Sequence, residues 1–483
     1  MADSRHYSLQ ILSHIQKMVD IQQKVIYFLL SLIVAFGLTY LLYEPELNRA
    51  QIYVLFLLFL AIGLWMTEAI PPFATGLLVF GFLIFATNSY YSELDPENAK
   101  TYYQDYVNTW SNSVIWLMLG GFFMADAMQK THLDRIVFKM SISKFGTAPE
   151  KILLGLMLTT AVFSMIMSNT ATTAMMVASV APFLKTLPKE SDLSKGILIG
   201  IAAAASIGGM GTLIGSPPNA IAVDALADEG IGFLEWMYVG MPVSIILTFV
   251  TWYFLKRKYV KTNTPIEVQL EETPTEEEEE KKEDPRILKM KKNVVLSVLC
   301  VTLILWLTEK LHNIPASIIS LIPIMLLTML GVVKGNDVRR LPWDTLMLVA
   351  GGLALGMAIK ETGLAQHYVD KLQQIHLNFY VLVFFFALLT VLLSNVMSNT
   401  ATATILIPIA IILTYQNPVV LPIVIGLSAS TALFLPISTP PNAIAYSTGF
   451  LQQKDFRYAG LIVGLLGPIL ICALTMLVFM VIL

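Results

Sequence analysis

The most constraining feature of this sequence is a polar hexapeptide that occurs twice within strongly apolar surroundings. Met-Ser-Asn-Thr-Ala-Thr occupies residues 167–172 and again residues 397–402. A second motif, Pro-Pro-Asn-Ala-Ile-Ala, follows each copy at residues 217–222 and 440–445. Polar, helix-interrupting residues are costly inside a bilayer unless they line a cavity or a binding site. The same pair of interruptions in both halves of one chain predicts a secondary transporter built from two repeats.

Composition places the chain in a membrane. Of its 483 residues, 56% are hydrophobic and 13% are charged, whereas about a quarter of the residues of a soluble protein are charged. Apolar stretches of about 20 residues, the length that crosses a bilayer as a helix, recur throughout. We predict an all-α polytopic protein with eleven spans near residues 25–43, 52–68, 72–88, 112–128, 195–228, 235–255, 293–311, 315–333, 344–360, 418–448 and 458–481.

Two further apolar blocks are too short on either side of their polar triplet to be simple spans. Residues 152–184 and 379–413 each carry Ser-Asn-Thr near the middle, which leaves arms shorter than the roughly 20 residues of a full crossing. We predict re-entrant hairpins with the triplet at the tip. The spans at 195–228 and 418–448 contain Pro-Pro and are predicted to be broken helices.

A long hydrophilic stretch separates the two halves and contains a run of five glutamates, residues 276–280. It is predicted to be a solvated linker. The predicted organisation is a short N-terminal segment, a first half of scaffold helices with one hairpin and one broken helix, the linker, and a matching second half: residues 1–24, 25–255, 256–292 and 293–483.

The orientation follows from the basic residues of the short loops. Lys and Arg are concentrated near residues 130–144, 185–195 and 334–340 and on both flanks of the linker, and such loops face the cytoplasm. We therefore predict a plasma membrane protein, in a bacterium the inner membrane, with a cytoplasmic N-terminus and an external C-terminus.

The duplication extends beyond the two motifs. The segment Leu-Trp-Met-Thr-Glu at residues 64–68 matches Leu-Trp-Leu-Thr-Glu at residues 305–309. Trp65 lies on the second predicted span and Trp306 on the seventh. Because an odd number of crossings separates them, the repeats are predicted to be inverted. One hairpin then opens from the cytoplasm and the other from outside, and their tips meet near the midplane.

The chemistry predicted at the meeting point is anion binding without a charged side chain. Ser, Asn and Thr are preferred N-caps, so each triplet should begin the second arm of its hairpin, and Ser216 and Thr439 should precede the Pro-Pro helices. Helix N-termini carry unpaired N–H groups and partial positive charge. Released carbonyls and side-chain oxygens suit a hard cation such as sodium. No Asp, Glu, Lys, Arg or His occurs in segments 160–175, 205–222, 390–405 and 434–446.

At these motifs the sequence resembles the divalent anion–sodium symporter family, the INDY-type di- and tricarboxylate transporters. The resemblance covers essentially the whole chain, from the Trp-x-Thr-Glu segment to Thr439-Pro440-Pro441-Asn442. It implies an α-helical homodimer with eleven spans and two hairpins. It also implies an elevator mechanism, in which a transport domain slides against a dimeric scaffold.

The resemblance also implies roles for individual residues. The residues that would contact the substrate carboxylates are Asn169, Thr170, Ser216, Asn399, Thr400, Thr439 and Pro440. Those of a first sodium site are Ser164, Ser168, Asn169 and Gly215, and those of its inverted counterpart are Ser394, Met397, Asn399 and Ser438.

The chain departs from the family pattern at the second sodium site. Sodium-coupled members typically read Thr-Glu where this chain has Ser394-Asn395, and Ser438 stands where Ala is usual. The family also includes sodium-independent exchangers of dicarboxylates. Both symport and exchange therefore remain open, for the C4-dicarboxylates succinate, malate and fumarate and for the related C5 acid 2-oxoglutarate.

Other function classes fit the sequence less well. An intramembrane enzyme would need paired acids or a base beside a nucleophile, and the motif segments contain none. A channel would not need hairpins from both sides. Transport of sulfate or another divalent oxyanion stays open, because helix caps discriminate poorly among divalent anions.

We predict no enzymatic activity and no organic cofactor. The predicted partners are a dicarboxylate, Na⁺, the lipid bilayer and a second copy of the chain, with no nucleic acid.

Overall fold

The structure, a computed structural model, describes residues 2–94, 99–134, 136, 145–188, 191–226, 229–261, 284–372, 378–414 and 418–481. Throughout these residues the chain forms helices joined by turns, with no strand, which confirms the predicted all-α class. Most of the predicted charged linker, residues 262–283, lies outside the described residues.

In the first half the described α-helices are α1 (Ala2–Leu41), α2 (Arg49–Thr67), α3 (Pro72–Leu94), α4 (Ala99–Asn108), α5 (Ser113–Lys130), α6 (Pro149–Ser164), α7 (Asn169–Thr186), α8 (Asp192–Gly208), α9 (Pro217–Asp224) and α10 (Phe233–Tyr259). Short 3₁₀ turns cover Thr109–Ser111 and Gly209–Gly211.

In the second half the described α-helices are α11 (Pro285–Leu307), α12 (Glu309–His312), α13 (Ala316–Ile319), α14 (Leu321–Met329), α15 (Gly335–Val338), α16 (Trp343–Glu361), α17 (Leu364–Leu372), α18 (Phe379–Ser394), α19 (Asn399–Leu413), α20 (Val420–Ala429), α21 (Pro440–Ser447) and α22 (Gln453–Val481).

Several of these helices have the length and apolar composition of membrane spans. Within the described residues, seven segments meet both conditions: Ile21–Leu41, Arg49–Thr67, Asp192–Gly211, Phe233–Tyr259, Pro285–Leu307, Trp343–Glu361 and Gln453–Met480. The chain is therefore a polytopic membrane protein, and the count of eleven spans stays a prediction.

The helices are grouped in two compact units, and each unit combines segments from both halves of the sequence. One unit consists of Met1–Ser111 and Asp344–Ile375, and the other of Asn112–Trp343 and His376–Leu483. Both copies of both polar motifs lie in the second unit, which we call the motif unit.

Repeated glycines explain how helices from opposite halves approach closely. In the first unit Gly351 of α16 lies against Gly76 of α3, where an added β carbon would overlap the Gly76 carbonyl. In the motif unit a β carbon on Gly120 of α5 would lie 2.7 Å from the Ser320 β carbon. Small residues permit such close backbone contact between apolar helices. In each unit such a contact therefore joins helices from opposite halves of the sequence.

The duplicated tryptophans make equivalent hydrogen bonds. The Trp65 indole donates to the Pro72 carbonyl at 3.1 Å, and the Trp306 indole donates to the Ala316 carbonyl at 2.9 Å. Both side chains are buried, and a buried indole N–H requires a partner. Each tryptophan therefore fixes the turn that follows its helix, in the same manner in both halves.

The four elements that carry the motifs interlock across the halves. Each block predicted as a hairpin contains two helices joined by a short turn, at residues 165–168 and 395–398. Each predicted broken helix is likewise two helices, α8 with α9 and α20 with α21. Helix α7 packs against α21, and α19 packs against α9. The second arm of each hairpin thus contacts the Pro-Pro helix of the opposite half. The re-entrant path of the hairpins and the inverted repeat topology stay predictions.

Candidate functional site

The Ser-Asn-Thr triplets begin helices, as their cap propensity predicts. Ser168 is the N-cap of α7 with φ −61° and ψ 146°, and Ser398 is the N-cap of α19 with φ −65° and ψ 148°. Each serine oxygen accepts a hydrogen bond from the amide three residues later, at 3.2 and 3.1 Å. The two triplets therefore have nearly the same backbone geometry.

The Pro-Pro motifs begin two short helices in a matching conformation. Ser216 caps α9 with φ −151° and ψ 137°, and Thr439 caps α21 with φ −141° and ψ 150°. Proline at the first helical position costs no hydrogen bond, because that N–H has no partner inside a helix. The Thr439 hydroxyl accepts from the Asn442 amide at 3.4 Å. The Ser216 hydroxyl makes no equivalent cap bond in the described structure.

These four helix starts would supply the electrostatics of the predicted site. Their leading N–H groups carry partial positive charge, the usual basis of anion binding at helix termini. The motif segments contain no residue that titrates near neutral pH. Any anion held there is bound by fixed dipoles and neutral hydrogen-bond donors.

Asn169 is the centre of an oxygen cluster in the first half. With its nitrogen toward the cluster, the Asn169 amide contacts Ser164 Oγ at 2.6 Å, Ala205 O at 3.1 Å and Gly215 O at 3.2 Å. The Ser164 hydroxyl also donates to the Ala205 carbonyl at 2.6 Å. Three elements, the hairpin, α8 and the loop before α9, therefore meet at one side chain.

The same cluster fits a hard cation. If the Asn169 amide is rotated so that its oxygen points toward the cluster, this oxygen faces those of Ser164, Ala205 and Gly215. Among these four oxygens only the Ser164 hydroxyl can donate a proton. Oxygen atoms from carbonyls, amides and hydroxyls are the ligands that hard cations prefer. Three of the four residues predicted for the first sodium site, Ser164, Asn169 and Gly215, are brought together here. The fourth, Ser168, uses its side-chain oxygen to cap α7.

The second half has a different hydrogen-bond arrangement. The Ser394 hydroxyl and the Asn399 side-chain oxygen are buried, and neither has a hydrogen-bond partner among the described residues. Met397 is buried at the tip. Ser438 is bonded to Asn395, with 2.9 Å between Ser438 Oγ and Asn395 Oδ1. Ser394 and Asn399, two predicted sodium ligands, thus have buried oxygens without a partner among the described residues. Ser438 is instead hydrogen-bonded to Asn395, which is not one of the predicted sodium ligands.

The predicted substrate residues differ in accessibility. Ser216, Thr400 and Thr439 are buried, and Asn169 and Asn399 are half-buried. Thr170 and Pro440 are exposed. The site therefore offers both accessible and enclosed groups, which a carrier that closes around its substrate would need.

The asparagine that follows each Pro-Pro has a role that we did not assign from the sequence. The Asn219 amide donates to the carbonyls of Gly209 at 2.7 Å and Thr212 at 2.8 Å. The Asn442 amide makes the equivalent pair, to Leu433 at 3.1 Å and Leu435 at 2.8 Å. These bonds satisfy carbonyls that the broken helices release. The presence of this asparagine in both copies of the motif was the signal in the sequence that could have indicated the role.

Removal of this support gives a stability prediction. Asn219→Ala is expected to destabilise the protein by about 2–4 kcal/mol, because two buried carbonyls lose their donor. The measurement is the unfolding temperature of the purified protein in detergent. Asn336→Ala is the control, because that carboxamide is exposed and its one side-chain hydrogen bond within the described residues comes from Arg339, at 3.4 Å. Equal unfolding temperatures for the two variants would contradict the proposed support role.

The motif unit also contains a cavity of about 560 Å³ that none of the predicted site residues lines. Its polar lining includes Asp224, Glu235, Glu309 and Lys310. The Lys310 ammonium lies 2.6 Å from a Glu235 carboxylate oxygen. A lining with more acids than bases does not favour an anion, so this cavity is distinct from the neutral site of the motifs.

The fold and the site define a class. A polytopic helical chain, with paired broken helices and polar motifs that begin helices in both halves, is typical of a membrane transporter rather than an enzyme. The model of the citrate transporter family CitMHS matches residues 62–417, and the chain belongs to this family of transporters. The predicted relationship to the divalent anion–sodium symporters is confirmed by the same match and by the relatives described next.

Two relatives are similar along most of their length. The sodium-dependent dicarboxylate transporter SdcS of Staphylococcus saprophyticus is 31% identical over 473 residues, 90% of this chain and 88% of the relative. The SdcS protein of Staphylococcus aureus is 30% identical over 479 residues, with the same coverage.

Two solved structures share the fold. The Neisseria gonorrhoeae efflux pump MtrF has a TM-score of 0.51 at 12% identity, and covers 84% of this chain and 94% of its own. The Alcanivorax borkumensis transporter YdaH has a TM-score of 0.58 at 10% identity, and covers 84% of this chain and 98% of its own. At these identities the similarity concerns the fold alone.

Proposed function

We propose that this chain is a sodium-coupled secondary transporter of short dicarboxylates, namely the C4 acids succinate, malate and fumarate and the C5 acid 2-oxoglutarate. The observation that carries the proposal is the oxygen cluster around Asn169 beside the capped start of α7. Asn169 belongs both to the proposed cation site and to the first turn of α7, where the anion is proposed to bind. Sodium and the dicarboxylate therefore bind next to each other. The names of the SdcS relatives, which are sodium-dependent dicarboxylate transporters, support the substrate and the ion.

The proposed binding mode uses both repeats. One substrate carboxylate is held by a hairpin helix start and the other by its counterpart in the second half, with Asn169 and Asn399 as the principal side-chain donors. Thr170, Thr400, Ser216, Thr439 and Pro440 complete the proposed contacts. A sodium ion beside Asn169 offsets the charge of a divalent anion in a medium of low dielectric constant.

The proposed mechanism is an elevator. All of the proposed substrate and sodium residues belong to one compact unit, which is what a rigid transport domain requires. We further propose a homodimer in the cytoplasmic membrane, with the N-terminus inside and the C-terminus outside, because the basic loops fall on one predicted face.

The test is uptake of labelled succinate by purified protein in liposomes. Symport predicts uptake that requires an inward sodium gradient and needs no internal dicarboxylate. Uptake that requires internal dicarboxylate and ignores sodium would identify an exchanger instead. Absence of succinate uptake under both conditions, in protein that is monodisperse and thermally stable, would refute the proposal.

Exchange without sodium is the second candidate, and one observation favours it. The Ser438 hydroxyl, in the proposed second sodium site, is bonded to Asn395 rather than directed to the unpartnered oxygens of Ser394 and Asn399. Transport of sulfate, the remaining alternative, is tested in the same liposomes by competition. Excess sulfate should leave succinate uptake unchanged if the site requires two separated carboxylates.

A further inference from the structure

The second hairpin tip and the second Pro-Pro loop are joined by a group of hydrogen bonds centred on one side chain. The Asn395 side-chain oxygen accepts from the Phe434 amide at 3.0 Å and from Ser438 Oγ at 2.9 Å. Its amide nitrogen donates to the Val391 carbonyl at 2.8 Å, in the last turn of α18. We call the Asn395–Ser438 pair the tip–loop clasp.

The loop itself depends on the clasp for part of its shape. Ser438 Oγ accepts from the Leu435 amide at 3.1 Å and lies 3.4 Å from the Asn395 carbonyl oxygen. Ser438 is mostly buried. One hydroxyl thus closes the turn over residues 435–438 and links that turn to the hairpin.

The first half achieves the same connection with different residues. Position 395 corresponds to Met165 by the 230-residue offset of the hairpins, and position 438 corresponds to Gly215 by the 223-residue offset of the loops. Neither can form the pair. Instead the Thr212 hydroxyl donates to the Met165 carbonyl, and Gly215 leaves its carbonyl in the oxygen cluster of Asn169.

The difference has a physical consequence. In the first half the loop carbonyl of Gly215 contributes to a cluster that a cation can occupy. In the second half the hairpin and the loop are held by neutral hydrogen bonds between side chains, and these bonds form without any ion. The clasp also lies next to the proposed substrate groups, because Thr439 follows Ser438 directly and Asn399 lies four residues after Asn395.

We propose that Asn395 and Ser438 are positioning residues, which hold the α19 and α21 helix starts at the separation that the dicarboxylate requires, independently of sodium. This inference rests on the proposed function, because the separation matters only if both helix starts contact one substrate. Loss of the clasp would allow the loop to move away from the tip, and substrate binding would have to restore the closed arrangement.

The experiment is a double-mutant cycle on succinate uptake in liposomes. Asn395→Ala and Ser438→Ala are each expected to raise the KM for succinate about tenfold. Both break the Asn395–Ser438 bond, and the first also leaves the Phe434 amide, the second the Leu435 amide, without its side-chain acceptor. The maximal rate should stay within about twofold of wild type. Because the residues act as a pair, the double variant should lose much less than the product of the two single losses.

Two further variants keep the test decisive. Ser438→Thr keeps the hydroxyl and should have a KM near that of wild type, whereas Ser438→Gly, the residue of the first half, should resemble Ser438→Ala. Ser430→Ala is the control, because that buried hydroxyl has no partner in the described structure. An unchanged KM in Ser438→Ala, or fully multiplicative losses in the double variant, would overturn the clasp. Wild-type protein without succinate uptake would instead refute the proposed function.

Discussion

Replacement of Asn169 by alanine is expected to reduce succinate uptake at least about 100-fold, because the change removes a proposed substrate donor and the centre of the oxygen cluster together. Its amide connects the hairpin, α8 and the loop before α9 through contacts of 2.6–3.2 Å. The variant should also be less stable without ligand by about 1–3 kcal/mol, because the cluster oxygens lose their donor. Uptake in liposomes and unfolding temperature in detergent measure the two effects.

Asn399→Ala is the matched comparison in the other repeat. Its side-chain oxygen has no protein partner among the described residues, so its removal should cost little stability while uptake falls to a similar extent. The two variants therefore separate ligand binding from structural support. Normal uptake in both would refute the assignment of the site, and equal destabilisation would contradict the different roles of the two asparagines.

The second large effect is expected at Gly215, where the backbone lies so close to the backbone of Gly209 and Ser164 that a side chain does not fit. A β carbon at this position would lie 2.5 Å from the Gly209 carbonyl oxygen and 2.9 Å from the Ser164 carbonyl oxygen. Both obstacles are backbone atoms, so the loop itself has to move. Gly215→Ala should lower stability by about 1–3 kcal/mol and should abolish sodium-dependent uptake, because the Gly215 carbonyl leaves the oxygen cluster.

Gly81→Ala is the control for this substitution. A β carbon at Gly81, within α3, meets no heavy atom within 4 Å. Alanine there should leave uptake unchanged and should keep the unfolding temperature the same or slightly higher, given the better helix propensity of alanine. Gly215→Ala protein with normal uptake and a normal sodium response would show that the close backbone contact is not needed for transport.

Local features of the site could be predicted from the sequence because local chemistry determines them. Ser168 and Ser398 begin helices for the reason that serine is a good N-cap, and Pro217 and Pro440 occupy the first helical position for the reason that proline is tolerated there. The all-helical class followed from apolar stretches of spanning length. In each case a few neighbouring residues carry the information.

The exchange of helices between halves could not be predicted in the same way. That Gly351 packs on Gly76 and Gly120 on Ser320 depends on contacts between distant segments, and a single sequence does not record which small residue faces which. Motif spacing divided the chain into two consecutive halves, whereas the compact units draw on both.

The Asn395–Ser438 pair and the Asn219 and Asn442 supports were missed for a related reason. Each side chain acts on a backbone group or a side chain that is close in space but separated by a turn or by tens of residues. Asn395 was noted only as a departure from a family pattern. The role proposed for it depends on its three side-chain hydrogen bonds, which the sequence does not indicate.

The absence of Asp, Glu, Lys, Arg and His from the motif segments has a consequence for the response to acid. A binding pocket made of backbone dipoles, amides and hydroxyls has the same affinity for a given ionic form of its ligand at pH 5 as at pH 8. Any change of transport rate between pH 5 and pH 8 then originates in the substrate, because the dianion gains a proton in solution and becomes a monoanion. Selection between these two forms is consequently a matter of how many negative oxygens the helix starts can accommodate.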